Sequence, residues 1–497
     1  MSWRHSGRGR AQGQLGIPKP GPRGWRQRGG GVAAWVQPAP EWRGTTVQVC
    51  GLWPFIAGTS APMIGVPLGR HEETNATVCC DPVSWFQRAQ LISNPSVFVL
   101  GKPGLGKSTL VRRMVLGLAG QGVMPMILGD LKPDYVDLIE ALNGQVIPLG
   151  RGRGHLNILD PGEASAAAAR LTGRARAALM ADAHGRRLNM AVALITISRN
   201  TTPTDQEQTI LDRALRLLDD RLKGVPVLAD LLEVIREAPD SVRQASLDRG
   251  DMNVYLRETR ALEATLMGLA CGGKLGELFA RPTSVPMSRD RPVVFDVSGI
   301  SEMDADLQAA AMLACWSYGF GTINVANALA DAGLEPRRNY FVVLDELWRV
   351  LRAGQGIVDR VDALTRLNRT VGVGQAMVSH TMSDLLALPA ESDRVKAKGF
   401  VERSGMVICG GLPRSEMAML TQAVPLSGQE QQKLVSWQDP PAWDSLGRTP
   451  EPPGQGMFLI KVGGRPGIPF RIQLTPSELK FNDTNKKWHG RGAAIPQ

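Results

Sequence analysis

Residues 97–114 read VFVLGKPGLGKSTLVRRM. The apolar, β-favouring run from Val97 to Leu100 predicts a short buried strand, and Leu110, Val111, Met114 and Leu118 recur at helical spacing. Between strand and helix stands G-x-x-x-x-G-K-S. Gly101 and Gly106 let the backbone turn until successive N–H groups point inward at phosphate oxygens, and the helix that follows adds its positive N-terminal end. In such a turn Lys107 reaches the β- and γ-phosphates, and the Ser108 hydroxyl can bind Mg2+. The candidate nucleotide contacts are Gly101, Pro103, Gly104, Leu105, Gly106, Lys107, Ser108 and Thr109. The plain alternative is a glycine-rich turn that only caps a helix; the strand before and the helix after separate the two readings.

Working outward, MPMILGD (124–130) predicts a second buried strand, and LKPDYVDLIEALNG an amphipathic helix closed by Gly144. Strand, phosphate loop, helix, strand and helix open a parallel sheet covered on both faces. Residues 161–284 differ: rich in Ala, Leu and Arg, with almost no strand signal, they predict a helical insertion punctuated at Thr202–Pro203 and Gly224–Pro226. Strands resume at PVVFDVS (292–298), YFVVLDE (340–346), GQAMVSH (374–380) and GMVICGG (405–411). The segments GMFLIKVGG and PFRIQL, within 456–474, alternate as an antiparallel edge hairpin would.

A nucleotide site also needs an apolar strand that ends in acid. Phe341 to Leu344 followed by Asp345 and Glu346 fits: Asp345 can hold the Mg2+ shell, and Glu346, one residue beyond, can polarise the attacking water. The competing reading is an exposed strand end with two solvated acids. His380, at the tip of AMVSH, is placed to sense the γ-phosphate, although a histidine at a strand end is more often structural. Charge developing on the transferred phosphoryl also calls for a cation from outside the loop. Arg369 in LTRLNRTVGVG is the first candidate and Arg465 in KVGGRPGIP the second; either could be a solvated surface arginine.

The 497 residues, 43% hydrophobic and 21% charged, suit a globular protein of two or three domains. Of the formal charge of +10, residues 1–43 carry +7, so the remainder does not demand a nucleic-acid partner. The six cysteines show neither C-x-x-C nor metal-ligand spacing with histidine, and are read as buried thiols in a reducing compartment. Residues 1–43 predict a disordered basic tail, 44–95 a lead-in segment, and 481–497 a flexible C-terminal tail. Residues 44–69 are uncharged, but Pro54, Pro62, Pro67 and five glycines make a poor membrane-spanning helix.

Together these residues resemble the type IV secretion, or conjugal-transfer, ATPases within the HerA/FtsK group of P-loop motors. The likeness extends to GDLKPDYVDLIEALNGQVIPLGRGRGHLNILDPG (129–162), KLGELFARPTS (274–284), YFVVLDELWRV, NRTVGVG and GMFLIKVGGRPGIPFRIQLTPSE, in that family's order. The resemblance implies an α/β, RecA-like P-loop NTPase fold: a mostly parallel sheet covered by helices, with the ATPase domain at 96–160 and 285–480. It also implies ATP and Mg2+ as cofactors, Lys107, Ser108, Asp345 and Glu346 at the phosphate, metal and catalytic positions, and Arg369 supplied across a subunit interface. Relatives usually carry Thr-Gln where this chain has Ser379-His380, and the resemblance leads to the expectation that their large N-terminal docking domain is absent here or reduced to 44–95.

The expected function is an ATP-hydrolysing motor, a homo-oligomer forming a hexameric ring, that energises conjugal DNA transfer or type IV secretion. It would be cytoplasmic, or peripheral at the inner membrane beside the secretion machinery, with DNA as a further candidate partner. The alternatives are a double-stranded DNA translocase and a nucleotide-gated scaffold with weak hydrolysis. A GTPase lacks its N-K-x-D motif here, and metal-dependent hydrolases and thiol enzymes have no support beyond scattered His and Cys.

Overall fold

Mostly apolar runs form strands that are buried on both faces, and six such strands lie side by side in parallel with a seventh, half-buried one at their edge. The computed structural model describes residues 62–354, 356–365, 372–440 and 452–481. In chain order the strands are β1 (Pro67–His71), β2 (Thr77–Cys79), β3 (Ser96–Leu100), β4 (Met124–Asp130), β5 (Gln145–Pro148) and β6 (Val293–Asp296). They continue with β7 (Tyr340–Leu344), β8 (Val373–Val378), β9 (Met406–Cys409), β10 (Met457–Lys461) and β11 (Ile468–Ile472). One 11-stranded sheet runs β2-β1-β11-β10-β9-β3-β8-β7-β4-β6-β5, parallel from β9 to β5 and antiparallel from β9 through β10, β11 and β1 to β2.

Successive side chains of a strand point to opposite faces, and β3 shows where each face packs. Val97 and Val99 join Leu110, Val111 and Met114 of the helix Lys107–Gly120. Phe98 and Leu100 face the other layer, where Met312 and Trp316 of the helix Ala305–Asp331 and Leu194 of the helix Gly173–Arg199 are buried. The helix Ala305–Asp331 is apolar on almost every side because it lies between the sheet and the insertion. Among the described residues no helix is long and apolar enough to cross a membrane.

Between β5 and β6 the chain forms seven helices, from Ala164–Arg170 to Gly276–Phe279. Their breaks follow local chemistry. The 27-residue helix Gly173–Arg199 ends at Asn200, which takes the left-handed conformation (φ 57°). The next, Asp205–Arg221, starts at Thr204 with a capping box in which the Thr204 side chain and Glu207 satisfy each other's backbone N–H groups.

Three details differ from expectation. The hairpin of β10 and β11 is not the sheet's edge, since β1 pairs with β11 and β2 with β1. The strand β5, with its half-buried pattern, extends the opposite edge. The helix after β4 covers only Val136–Ala141. Lys132 precedes Pro133 and is biased away from helical geometry, and the Asp130 carboxylate takes the N–H groups of Asp134 (3.0 Å) and Tyr135 (2.7 Å). The expectations for residues 1–43, for most of 44–69, for Arg369 and for the tail beyond 481 fall outside the described residues.

Candidate nucleotide site

The phosphate loop is pinned to the tips of the neighbouring strands. Gly101 N–H donates to the carbonyl of His380 beyond β8 (2.9 Å), and Lys102 N–H to that of Gly411 beyond β9 (3.0 Å). A Cβ on Gly101 would come within 3.2 Å of the Gly410 Cα. Gly106 caps the following helix with φ 95°, a conformation that side chains with a Cβ resist. Leu105 is buried, and its carbonyl accepts from Gly456 N–H (3.1 Å), so it anchors the loop, while Pro103 and Gly104 are exposed at the tip.

Lys107 is the first residue of that helix. Its Nζ bends back to the carbonyls of Gly101 (2.6 Å) and Lys102 (3.1 Å). Burial draws its pKa down to about 8, against the attraction of Asp345 and Glu346. A buried ammonium supported mainly by carbonyl dipoles is a receptor for a polyanion.

The acids lie on the same sheet, with one strand, β8, between them and the phosphate loop. Parallel pairing of β8 with both β3 and β7 (Val99 opposite Val378, Leu344 opposite Met377) brings Gly101, His380 and Asp345 to the same end. Asp345 Oδ2 accepts from the Tyr135 hydroxyl (3.1 Å), and its Oδ1 from Glu346 N–H (2.8 Å). Burial, then the neighbouring Glu346 charge, pushes the Asp345 pKa up. Burial would push Glu346 up as well, but His380, Lys132 and the Trp348 indole outweigh it and hold that carboxyl below its ordinary value. Glu346 Oε2 lies 2.6 Å from Trp348 Nε1 and 3.3 Å from His380 Nε2, and Oε1 is 3.6 Å from Lys132 Nζ. Its backbone is left-handed (φ 50°, ψ 37°), a costly state for a residue with a side chain and one concentrated at functional sites.

The structure thus brings together Lys107, Ser108, Asp345, Glu346 and His380. It does not bring Arg465 to them. Because β10 runs antiparallel to β9, the turn carrying the exposed Arg465, the second candidate for the outside cation, lies at the opposite end of the sheet from Gly410 and this chain's own phosphate loop. Sequence reading gave no role to Lys132, Asp134, Tyr135 or Trp348. Two of these touch the acids across more than 200 residues, and only the crowding of charge in Asp-Leu-Lys-Pro-Asp-Tyr hinted at them. The donors fit Mg2+: hydroxyl and carboxylate oxygens are its preferred ligands, and it is held by one or two of them together with substrate phosphates rather than by a protein cage. Accordingly, no group of three or more His, Cys, Asp and Glu that could hold a metal by itself occurs among the described residues.

No protein-family profile matches the chain, and no curated protein matches it in sequence. Solved structures do. VirB4 of Thermoanaerobacter pseudethanolicus is 19% identical with a TM-score of 0.62, over 85% of this chain and 100% of that one. The conjugative coupling protein TrwB is fainter: 13% identity and TM-score 0.49 for an unbound form lacking its N-terminal segment, and 14% and 0.47 for a complex with ADP and Mg2+. These cover 83% and 77% of this chain and 90% and 86% of the TrwB chains, with scores too low to equate the folds. At such identity the VirB4 match speaks to architecture, and this chain is an α/β protein with the RecA-like P-loop fold of VirB4.

Proposed function

We propose that the chain is an Mg2+-dependent ATPase that works as a ring motor in conjugal DNA transfer or type IV secretion. The observation that carries the reading is the convergence of Lys107, Ser108, Asp345 and Glu346 at one end of one sheet. Bound at the loop, a triphosphate would take the Lys107 ammonium from the carbonyls of Gly101 and Lys102. Mg2+ would screen the phosphate charge, with Ser108 and Asp345 as the protein residues that hold it. Glu346 is the general base that orients and deprotonates water, and its depressed pKa keeps it ionised for that task. His380 is the positioning group that ties this carboxylate to β8. The VirB4-like fold supports the secretion assignment, and ring assembly would let Arg369 complete a neighbour's site.

The test is a pair of assays on Glu346→Gln. ATP binding is expected to persist while turnover falls about a hundredfold or more; wild-type turnover in this variant would remove Glu346 as the base. A second reading, a nucleotide-gated scaffold, is favoured by the triple tethering of Glu346 to Trp348, His380 and Lys132. It predicts full nucleotide occupancy with hydrolysis near zero even in a single turnover, which separates it from the motor.

A further inference from the structure

The turn from Asp130 to Tyr135 touches both residues assigned to the metal. The Tyr135 ring is fully buried and its hydroxyl meets Asp345 at 3.1 Å. One residue earlier, the half-buried Asp134 carboxylate faces the Ser108 hydroxyl, with Arg112 and Lys132 as the positive charges around it. An acid at this point of a chain would ordinarily cap the helix that follows. Here that work is done elsewhere: the helix Val136–Ala141 has no side-chain cap, and the free N–H groups of Asp134 and Tyr135 are taken by Asp130. Asp134 therefore has no capping task and stands beside Ser108, where its charge favours a bound cation and works against a bare triphosphate.

We infer that the Asp130–Tyr135 turn forms the second wall of the site that would hold Mg2+: Asp134 accepts from the Ser108 hydroxyl and Tyr135 fixes the orientation of Asp345, so each positions one of the two residues that would bind the metal. The inference rests on the ATPase reading and adds two positioning residues to it. Its physical basis is that partners in the outer shell of a metal orient the ligands and set affinity, typically by ten- to a hundredfold. It also gives Asp134 a task that depends on the cation, since without Mg2+ the same carboxylate opposes the nucleotide.

The experiment measures binding of ATP to the full-length chain by calorimetry at increasing Mg2+ and in EDTA, with Mn2+ as a paramagnetic probe of the bound metal. Asp134→Asn is expected to raise the Mg2+ needed for half-maximal ATP binding about tenfold. In EDTA the variant should bind ATP as well as wild type or better, because a repulsive charge is gone. Tyr135→Phe, which removes one oxygen from a packed ring, should raise the Mg2+ requirement and change the bound Mn2+ spectrum while leaving binding in EDTA unchanged. Asp134→Glu should recover part of the loss. If both Asp134→Asn and Tyr135→Phe keep the wild-type Mg2+ requirement, or lose affinity equally with and without metal, the inference falls and the ATPase reading stands. If wild type shows no metal-dependent ATP binding, both fall together.

Discussion

Lys107 shows how a single residue encodes readiness for its ligand. Burial disfavours its ammonium more than Asp345 and Glu346 favour it, so the free protein holds this group near pH 8 rather than at its usual value above 10. The sign follows directly. A lowered pKa means the nucleotide-free protein prefers Lys107 neutral as pH rises past about 8, whereas a triphosphate prefers it charged. ATP binding at pH 8.5–9 should therefore take up close to one proton at this site, and binding near pH 6.5 almost none, since the lysine is already protonated there. Affinity should fall towards tenfold for each pH unit above about 8. Calorimetry in buffers of different ionisation enthalpy reads the uptake, which Lys107→Met should remove; equal uptake at both pH values in wild type would contradict the assignment.

At the scale of elements, the helical insertion is held by charge as well as by packing. On the helix Gly173–Arg199, His184 Nε2 lies 2.7 Å from Asp212, and Arg187 makes a two-pronged pair with Asp219, both acids belonging to the helix Asp205–Arg221. His184 Nδ1 is 3.8 Å from Asp219, and Arg216 shares Asp212. The Asp219 contact, with that of Asp212, raises the His184 pKa against the opposing effect of burial. A raised histidine stabilises the fold fully below its unfolded pKa, and that contribution is lost as pH rises through the folded value. Amide exchange in these two helices should accelerate relative to the sheet as pH rises above the ordinary histidine value of about 6.5, and His184→Gln should abolish the difference. Elements of this kind differ in how far sequence reveals them. The strand, turn and helix around Lys107 were legible because their signals are local and periodic, and the acids at 345 and 346 because an apolar run leads into them. The short strands β1, β2 and β5 were not, since three to five residues of mixed burial carry little pattern. The end of the sheet on which Arg465 falls was also hidden, because it depends on β10 pairing antiparallel to β9, a long-range choice invisible in the hairpin's own residues. Tyr135 and Asp345 meet across a fold, not along a chain.

For the molecule as a whole, the proposed ring would let a neighbouring subunit complete each site. Among the described residues Lys132 stands beside Glu346 and Lys107 feels its charge, Arg349 and Arg352 stack on the Trp348 ring, and Arg465 lies at the far end of the sheet. Phosphoryl transfer benefits from a further guanidinium at the developing charge, and in the proposed ring a neighbouring subunit would supply it through Arg369. This makes assembly testable through complementation. Lys107→Ala disables a subunit's own pocket and leaves its Arg369 available; Arg369→Ala does the reverse. Each variant alone should be nearly inactive. Mixed in equal amounts and allowed to exchange, they should recover activity, because roughly a quarter of interfaces in a randomly mixed ring pair an intact pocket with an intact arginine. Wild-type specific activity should also rise with protein concentration as subunits associate. If Arg369→Ala is fully active alone, or if wild-type activity per subunit is constant down to concentrations where only monomer is present, the arginine does not act across an interface. A mixture that stays dead while both variants assemble and Arg369→Ala still binds ATP leads to the same conclusion, and the cation must then come from within the chain, with Lys132 as a group already beside Glu346.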